Sequence, residues 1–156
     1  MKIRHSELTD LKEMLAIYEH ARSFMAANGN PDQWGPTGWP PEELLRQDID
    51  SAKSYVCIND DDEVLGTFCF DHGKDIEPTY RQITEGKWLD ESEYGVVHRI
   101  AVRDNGAGVG QFCLEWAYDQ CGHLRIDTHP DNKVMRHLLE KLGFVSCGTV
   151  FVAEDV

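Results

Sequence analysis

The sequence is short of positive charge, of long apolar runs and of paired cysteine spacings. It holds 15 Lys and Arg against 28 Asp and Glu, a net charge of −13 with histidine neutral, and no cluster of basic residues offsets this locally. Nucleic-acid binding through release of phosphate counterions is therefore disfavoured, and no nucleic-acid partner is expected. An acidic surface attracts cations instead and would steer an amine-bearing molecule toward it, although many acidic proteins are simply soluble. In the opening stretch MKIRHSELTDLKEML charges interrupt every apolar run. Neither a signal-peptide core nor a spanning segment fits there, so the expectation is a cytoplasmic protein with no membrane partner.

Cys57, Cys69, Cys113, Cys121 and Cys147 are odd in number and share no C-x-x-C. Buried reduced thiols are the default expectation. The seven histidines show no metal-ligand spacing, and Cys121 with His123 and His129 makes no recognised ligand set, so no metal is expected. Repeats, linkers and low-complexity segments are absent too.

What is present suits one globular domain over residues 1–156, with 41% hydrophobic and 10% aromatic residues supplying a core. Residues 2–5 read as a strand, and Thr9 as the N-cap of a helix with Asp10 in its first turn. Leu11, Met14, Leu15, Tyr18, Ala21 and Met25 recur at helical spacing up to an Asn28-Gly29 stop. After the loop NPDQWGPTGWP, Pro41 at a first helical position starts a second helix with Leu44, Leu45 and Ile49 on one side. Residues 55–58 and 63–70 read as a hairpin, residues 71–93 are polar and unassigned, and YGVVHRIAV from Tyr94 is a strand.

Two more units follow. RDNGAGVG is a glycine loop leading into the helix QFCLEWAYDQ, with Phe112, Leu114, Trp116 and Ala117 as its apolar surface. Then come the strand HLRIDT and the helix DNKVMRHLLEKL with Val134, Leu138 and Leu142 on one stripe. Gly143 stops that helix, and FVSCGTVFV reads as a last strand. This order does not alternate strictly, so the class is α/β or α+β with a mixed sheet flanked by helices.

Gly106, Gly108 and Gly110 at a strand-to-helix junction let backbone N–H groups surround an anion at the positive helix end, with a tight packing turn as the bland reading. Gly110 is followed by Gln111, which excludes a P-loop with its Gly-Lys-Ser/Thr ending. A dinucleotide fingerprint needs G-x-G-x-x-G, whereas this loop runs G-x-G-x-G. Asp127 does lie about twenty residues on, as a ribose-binding acid should, but the loop comes late in the chain.

HRIAV-RDNGAGVGQF followed by NKVMRHLLEKLGF resembles the acyl-CoA-binding half of the GNAT family of N-acetyltransferases, strongly over residues 94–152 and more weakly over residues 1–70. The family signature Gln/Arg-x-x-Gly-x-Gly/Ala falls on Asn105, Gly106, Ala107, Gly108, Val109 and Gly110, with Asn in the first place and a short approach through Arg103-Asp104. The resemblance implies a mixed, mostly antiparallel sheet splayed at its centre and acetyl-CoA as cosubstrate. It further implies backbone contacts from the loop to the pyrophosphate, main-chain pairing of Ile100, Ala101 and Val102 with the pantetheine arm, and a cofactor contact from Asn132.

Acetyl transfer to an amine needs a base, because a protonated amine cannot attack. His98 is the candidate, read as sharing a strand face with Ile100; the competing reading is a structural histidine, and His129 is a lesser rival. The tyrosine that usually serves as the family's acid is replaced by Leu139, which leaves Tyr18, Tyr94, a water or no residue to protonate the thiolate. Trp34 and Trp39 are candidates for the acceptor wall or else core caps, and Trp88 with Asp90, Glu91 and Glu93 is a candidate for the opposite wall. The expectation is an N-acetyltransferase acting on a primary amine by direct attack in a ternary complex. The alternative is a noncatalytic acyl-CoA-binding or regulatory module, suggested by Leu139 and Asn105. Oligomeric state is left open, a homodimer being one option.

Overall fold

The computed structural model describes residues 1–152. Strand β1 (Lys2–His5) runs antiparallel to β2 (Ser54–Ile58), β2 to β3 (Val64–Gly73) and β3 to β4 (Tyr94–Val102). Strand β5 (Leu124–Arg125) is parallel to β4 and pairs with it only at Gly95–Leu124 and Val96–Arg125. Beyond Val96 the two strands part. The sheet is thus mixed, mostly antiparallel and open beside the C-terminal half of β4. The expected strand HLRIDT shrinks to two residues for the same reason, since Ile126, Asp127 and Thr128 line the opening instead of pairing across it.

Helices α1 (Leu11–Ala27) and α2 (Glu42–Asp50) cover one face of the sheet, where Met14, Ile17, Tyr18 and Leu45 pack with Val56 and Ala101. Helices α3 (Val109–Cys121) and α4 (Lys133–Lys141) cover the other, where Cys113, Leu114 and Ala117 pack with Phe68, Phe70 and Val97. Cys57, Cys69 and Cys113 are buried free thiols, while Cys121 and Cys147 are half-buried.

Several local expectations are corrected. Thr9 is not the cap of α1: a single 3-10 turn (Leu8–Asp10) precedes the helix, and the Asp10 carboxylate accepts from the Glu7 N–H at 2.8 Å while Arg4 clamps it at 2.8 and 2.9 Å. Pro41 is the N-cap of α2, one position earlier than expected. On α4 the half-buried side chains packed against the core beneath α3 are Met135, Leu138, Leu139 and the C-cap Leu142; Leu138 and Leu142 fall where expected, whereas Val134 is 50% exposed. Residues 144–152 form no strand; among the described residues, two hydrogen bonds between Thr84 and Thr149, of 2.8 and 2.7 Å, are the only β-pairing they make. The unassigned segment 71–93 lengthens β3 to Gly73 and contributes a second 3-10 turn (Pro78–Arg81).

Strand β4 also carries one residue more than β3 opposite it. Cys69 faces His98 and Thr67 faces Ala101, so Arg99 and Ile100 together oppose Phe68. This is a β-bulge, and Arg99 takes a φ of 54° within it. Such a backbone persists only where its surroundings hold it. Here the Tyr18 hydroxyl donates to the Arg99 carbonyl at 2.6 Å, and the Arg99 guanidinium donates to Asp48 on α2 at 3.1 and 2.8 Å. The extra residue inverts the alternation of the strand. His98 therefore shares its face with Ala101, while Ile100 and Val102 pack with the cluster beneath α3. The expectation that His98 and Ile100 share a face is wrong by that one residue.

Candidate active site

The opening between β4 and β5 is a cleft of about 360 Å³. The glycine loop forms part of its lining. Gly106 and Gly108 have φ of 85° and 79°, conformations that favour glycine, and a Cβ on either would meet no protein atom within 4 Å. Gly108 is the N-cap of α3, and the first ladder bond runs from the Phe112 N–H to the Gly108 carbonyl at 3.1 Å. The N–H groups of Val109, Gly110 and Gln111 are thus outside the helix's own ladder at its positive end. Lys141 on α4 lies beside them and donates to Gln111 at 3.1 Å. Asn105 is tethered instead to α1, its Oδ1 being 3.1 Å from His20 Nε2.

Ile100, Ala101, Val102, Asn105, Gly106, Gly108, Val109, Gly110 and Asn132 all line this cleft, and Ala107 does not. The Asn132 side chain is already engaged: its Oδ1 accepts from the Met135 N–H at 3.0 Å, and its Nδ2 donates to Gln33 at 3.0 Å. Of the two tryptophans in the long loop, Trp34 forms part of the cleft wall and packs edge-on against Tyr18. Trp39 lies outside the lining and packs against the α1 core.

His98 also lines the cleft, its side chain 11% exposed. Its Nε2 is 3.0 Å from Glu77 Oε2, and its Nδ1 is 4.0 Å from Asp127 Oδ2. Glu77 precedes the second 3-10 turn, and its other oxygen accepts from the Thr79 N–H at 3.2 Å and the Thr79 hydroxyl at 2.8 Å. The hydrogen bond with His98 holds the Glu77 carboxyl down at about 2, with Thr79's donors helping against the opposing effect of burial. Asp127 receives the Tyr80 hydroxyl at 2.6 Å, yet burial pushes its carboxyl above the ordinary value. Tyr80 is 2% exposed, and burial followed by the Asp127 charge raises its phenol well above the usual range.

Glu77 and Tyr80 carry no signal in the sequence. They come from the segment whose polar composition left it unassigned, and a 21-residue separation links Glu77 to its histidine. Trp88 acts within that segment, donating to the Tyr80 carbonyl at 2.8 Å and covering the Arg125 guanidinium at 4.3 Å. Trp88, Asp90, Glu91 and Glu93 do not line the cleft. His129 is also outside the lining and accepts from the Asp131 N–H at 3.1 Å. Leu139 is half-buried and packs against the core cluster under α3, Tyr18 is bonded to the bulge carbonyl, and the Tyr94 hydroxyl accepts from the Glu77 N–H at 3.0 Å.

The family model for the acetyltransferase (GNAT) family matches residues 14–144 of the chain. The chain belongs to the GNAT acetyltransferase family. A GNAT acetyltransferase from Streptococcus agalactiae is 32% identical, with 97% of this chain and 89% of that one covered and a TM-score of 0.86. A GNAT acetyltransferase from Listeria monocytogenes, 15% identical, superposes over 95% of this chain and 88% of that one with a TM-score of 0.68. An aminoglycoside 6'-N-acetyltransferase from Acinetobacter haemolyticus, also 15% identical, shares the fold over 99% and 97% with a TM-score of 0.64. No curated protein matches the chain. Members of the GNAT family transfer an acyl group from an acyl-CoA, and the mixed, splayed sheet expected from the sequence is the fold observed.

Proposed function

We propose that this GNAT protein transfers the acetyl group of acetyl-CoA to a primary amine by direct attack in a ternary complex. The observation that carries this reading is one cleft lined both by the N-terminus of α3, with its free N–H groups, and by His98. In it, the loop Asn105–Gly110 and the N-terminus of α3 hold the pyrophosphate, with backbone donors doing the work because Asn105 is tied to His20. The main chain of Ile100, Ala101 and Val102 takes the pantetheine arm as an added strand where β5 has turned away, and Asn132 borders it. His98 is the general base, and Trp34 walls the acceptor end. With Leu139 packed against the core cluster, the CoA thiolate departs without a tyrosine acid at that position.

The net charge of −13 favours approach of a cationic acceptor. Calorimetric titration with acetyl-CoA, with NAD in parallel, tests the first step, and CoA release with a panel of amines tests the second. Micromolar acetyl-CoA binding with amine-dependent release is expected. Binding without release from any amine would instead favour the noncatalytic acyl-CoA module, and absence of binding would overturn the reading. His98→Ala should lower turnover while leaving acetyl-CoA affinity intact.

A further inference from the structure

His98 has two ring nitrogens in different surroundings, and they define which atom can act. Glu77 has one oxygen committed to two Thr79 donors and the other 3.0 Å from Nε2. A carboxylate is an acceptor only, so Nε2 must carry the proton in the neutral ring. That leaves Nδ1 with its lone pair. Nδ1 is separated from Asp127 Oδ2 by 4.0 Å, too far for a hydrogen bond between them. Two acceptors at that spacing can both lie about 2.9 Å from a single nitrogen placed between them. Both side chains line the cleft.

We propose that the acceptor's ammonium group is seated between His98 Nδ1 and the Asp127 carboxylate, with Glu77 as the positioning residue that fixes the tautomer of His98. The acceptor class is then a primary amine arriving as a cation, and Asp127 is its specificity determinant. This inference rests on the transferase reading above and adds the base atom, the amine seat and the orienting carboxylate. The ammonium donates one N–H to Asp127 and gives one proton to Nδ1, which makes the nitrogen nucleophilic. Its N–C bond then forms at the thioester carbonyl and the C–S bond breaks, the electron pair leaving on sulfur. The second proton lost by nitrogen goes to the thiolate to give CoA–SH, and His98 returns its own proton to water. Tyr80, donating to Asp127 at 2.6 Å, keeps that carboxylate aimed.

The test uses the CoA-bound protein labelled with ¹⁵N-histidine. In the wild type the ring spectrum should show the proton of His98 on Nε2 and a bare Nδ1. In Glu77→Gln, the Thr79 donors keep the amide oxygen in place, so the amide NH₂ faces Nε2 and the proton moves to Nδ1. Turnover should fall by roughly a hundredfold or more at unchanged KM for acetyl-CoA, as expected when a catalytic imidazole is held in the wrong tautomer. Methylammonium chloride, titrated against a sodium chloride control, should move the Nδ1 resonance in the wild type and not in Asp127→Asn. Asp127→Asn should also raise the amine KM about ten- to a hundredfold, the size of one lost charge-assisted hydrogen bond.

A wild-type spectrum with the proton on Nδ1 overturns the proposal without recourse to any variant. An unchanged tautomer in folded Glu77→Gln, or an equal methylammonium response in Asp127→Asn, does the same. Amine-dependent CoA release alongside such a spectrum would retain the transferase and reject the seat. The expected spectrum and methylammonium response without release from any amine would support the seat and reject the transferase.

Discussion

Replacing Tyr18 by phenylalanine removes one oxygen from the interior and tests whether the β4 bulge depends on α1. The hydroxyl donates to the Arg99 carbonyl at 2.6 Å, and the side chain is 2% exposed. Burial pushes this phenol upward, so it remains a neutral donor at working pH. Loss of the donor leaves a buried carbonyl without it, at a cost of about 1–3 kcal/mol, whereas the ring itself keeps its packing. The left-handed backbone at Arg99 adds its own strain, which the remaining contact to Asp48 must then restrain alone. For a domain of this size each kcal/mol lowers Tm by roughly 2–4 °C, so the variant should melt roughly 2–12 °C below the wild type. Turnover should fall as well, because a relaxed bulge would turn His98 away from the cleft. Thermal unfolding followed by circular dichroism and an amine-dependent CoA-release assay read the two effects. A variant with unchanged Tm and unchanged turnover would show that the bulge does not need Tyr18.

Gly108→Ala places a Cβ at φ 79° with no protein atom within 4 Å. It should cost about 1 kcal/mol of stability from the left-handed backbone and weaken acetyl-CoA binding beyond that strain, as measured by melting and calorimetry together. Asp48→Ala leaves the Arg99 guanidinium, 9% exposed, without its carboxylate, and should destabilise the fold by about 3–5 kcal/mol in urea unfolding. The Glu77 carboxyl titrates lower in the folded protein, at about 2, than its ordinary value of 4.5. Its contribution to stability is therefore fully present above the ordinary value and is lost as pH falls through about 2. Glu77→Gln should lack that part of the acid dependence, seen as a flatter Tm-against-pH curve over this window.

The glycine loop was legible because its constraint is local: strand, alternating glycines and helix follow one another within residues 94–121, and the positive φ at Gly106 and Gly108 requires residues without a Cβ. The apolar spacing of α1 was legible as well, although Ile17, which is buried, was missed among the core positions. On α4, Leu138 and Leu142 pack against the core as their spacing predicts, and only Val134, one turn earlier, is turned outward at 50% exposure. The last strand was misread because a β-branched run predicts extended chain, not a partner, and Val145 and Phe151 are in fact exposed.

By itself the sequence determined the order of elements around the glycine loop, the acidic balance and His98 as a titratable group on β4, all properties of neighbours along the chain. The tertiary structure decided which way β4 faces, through a one-residue bulge held by Tyr18 and Asp48 from two separate helices. It also decided what surrounds His98, since Glu77, Tyr80 and Asp127 reach it from segments 18 to 29 residues away. Strand parity and side-chain encounters depend on packing between distant segments, and hydrophobic periodicity carries no record of either.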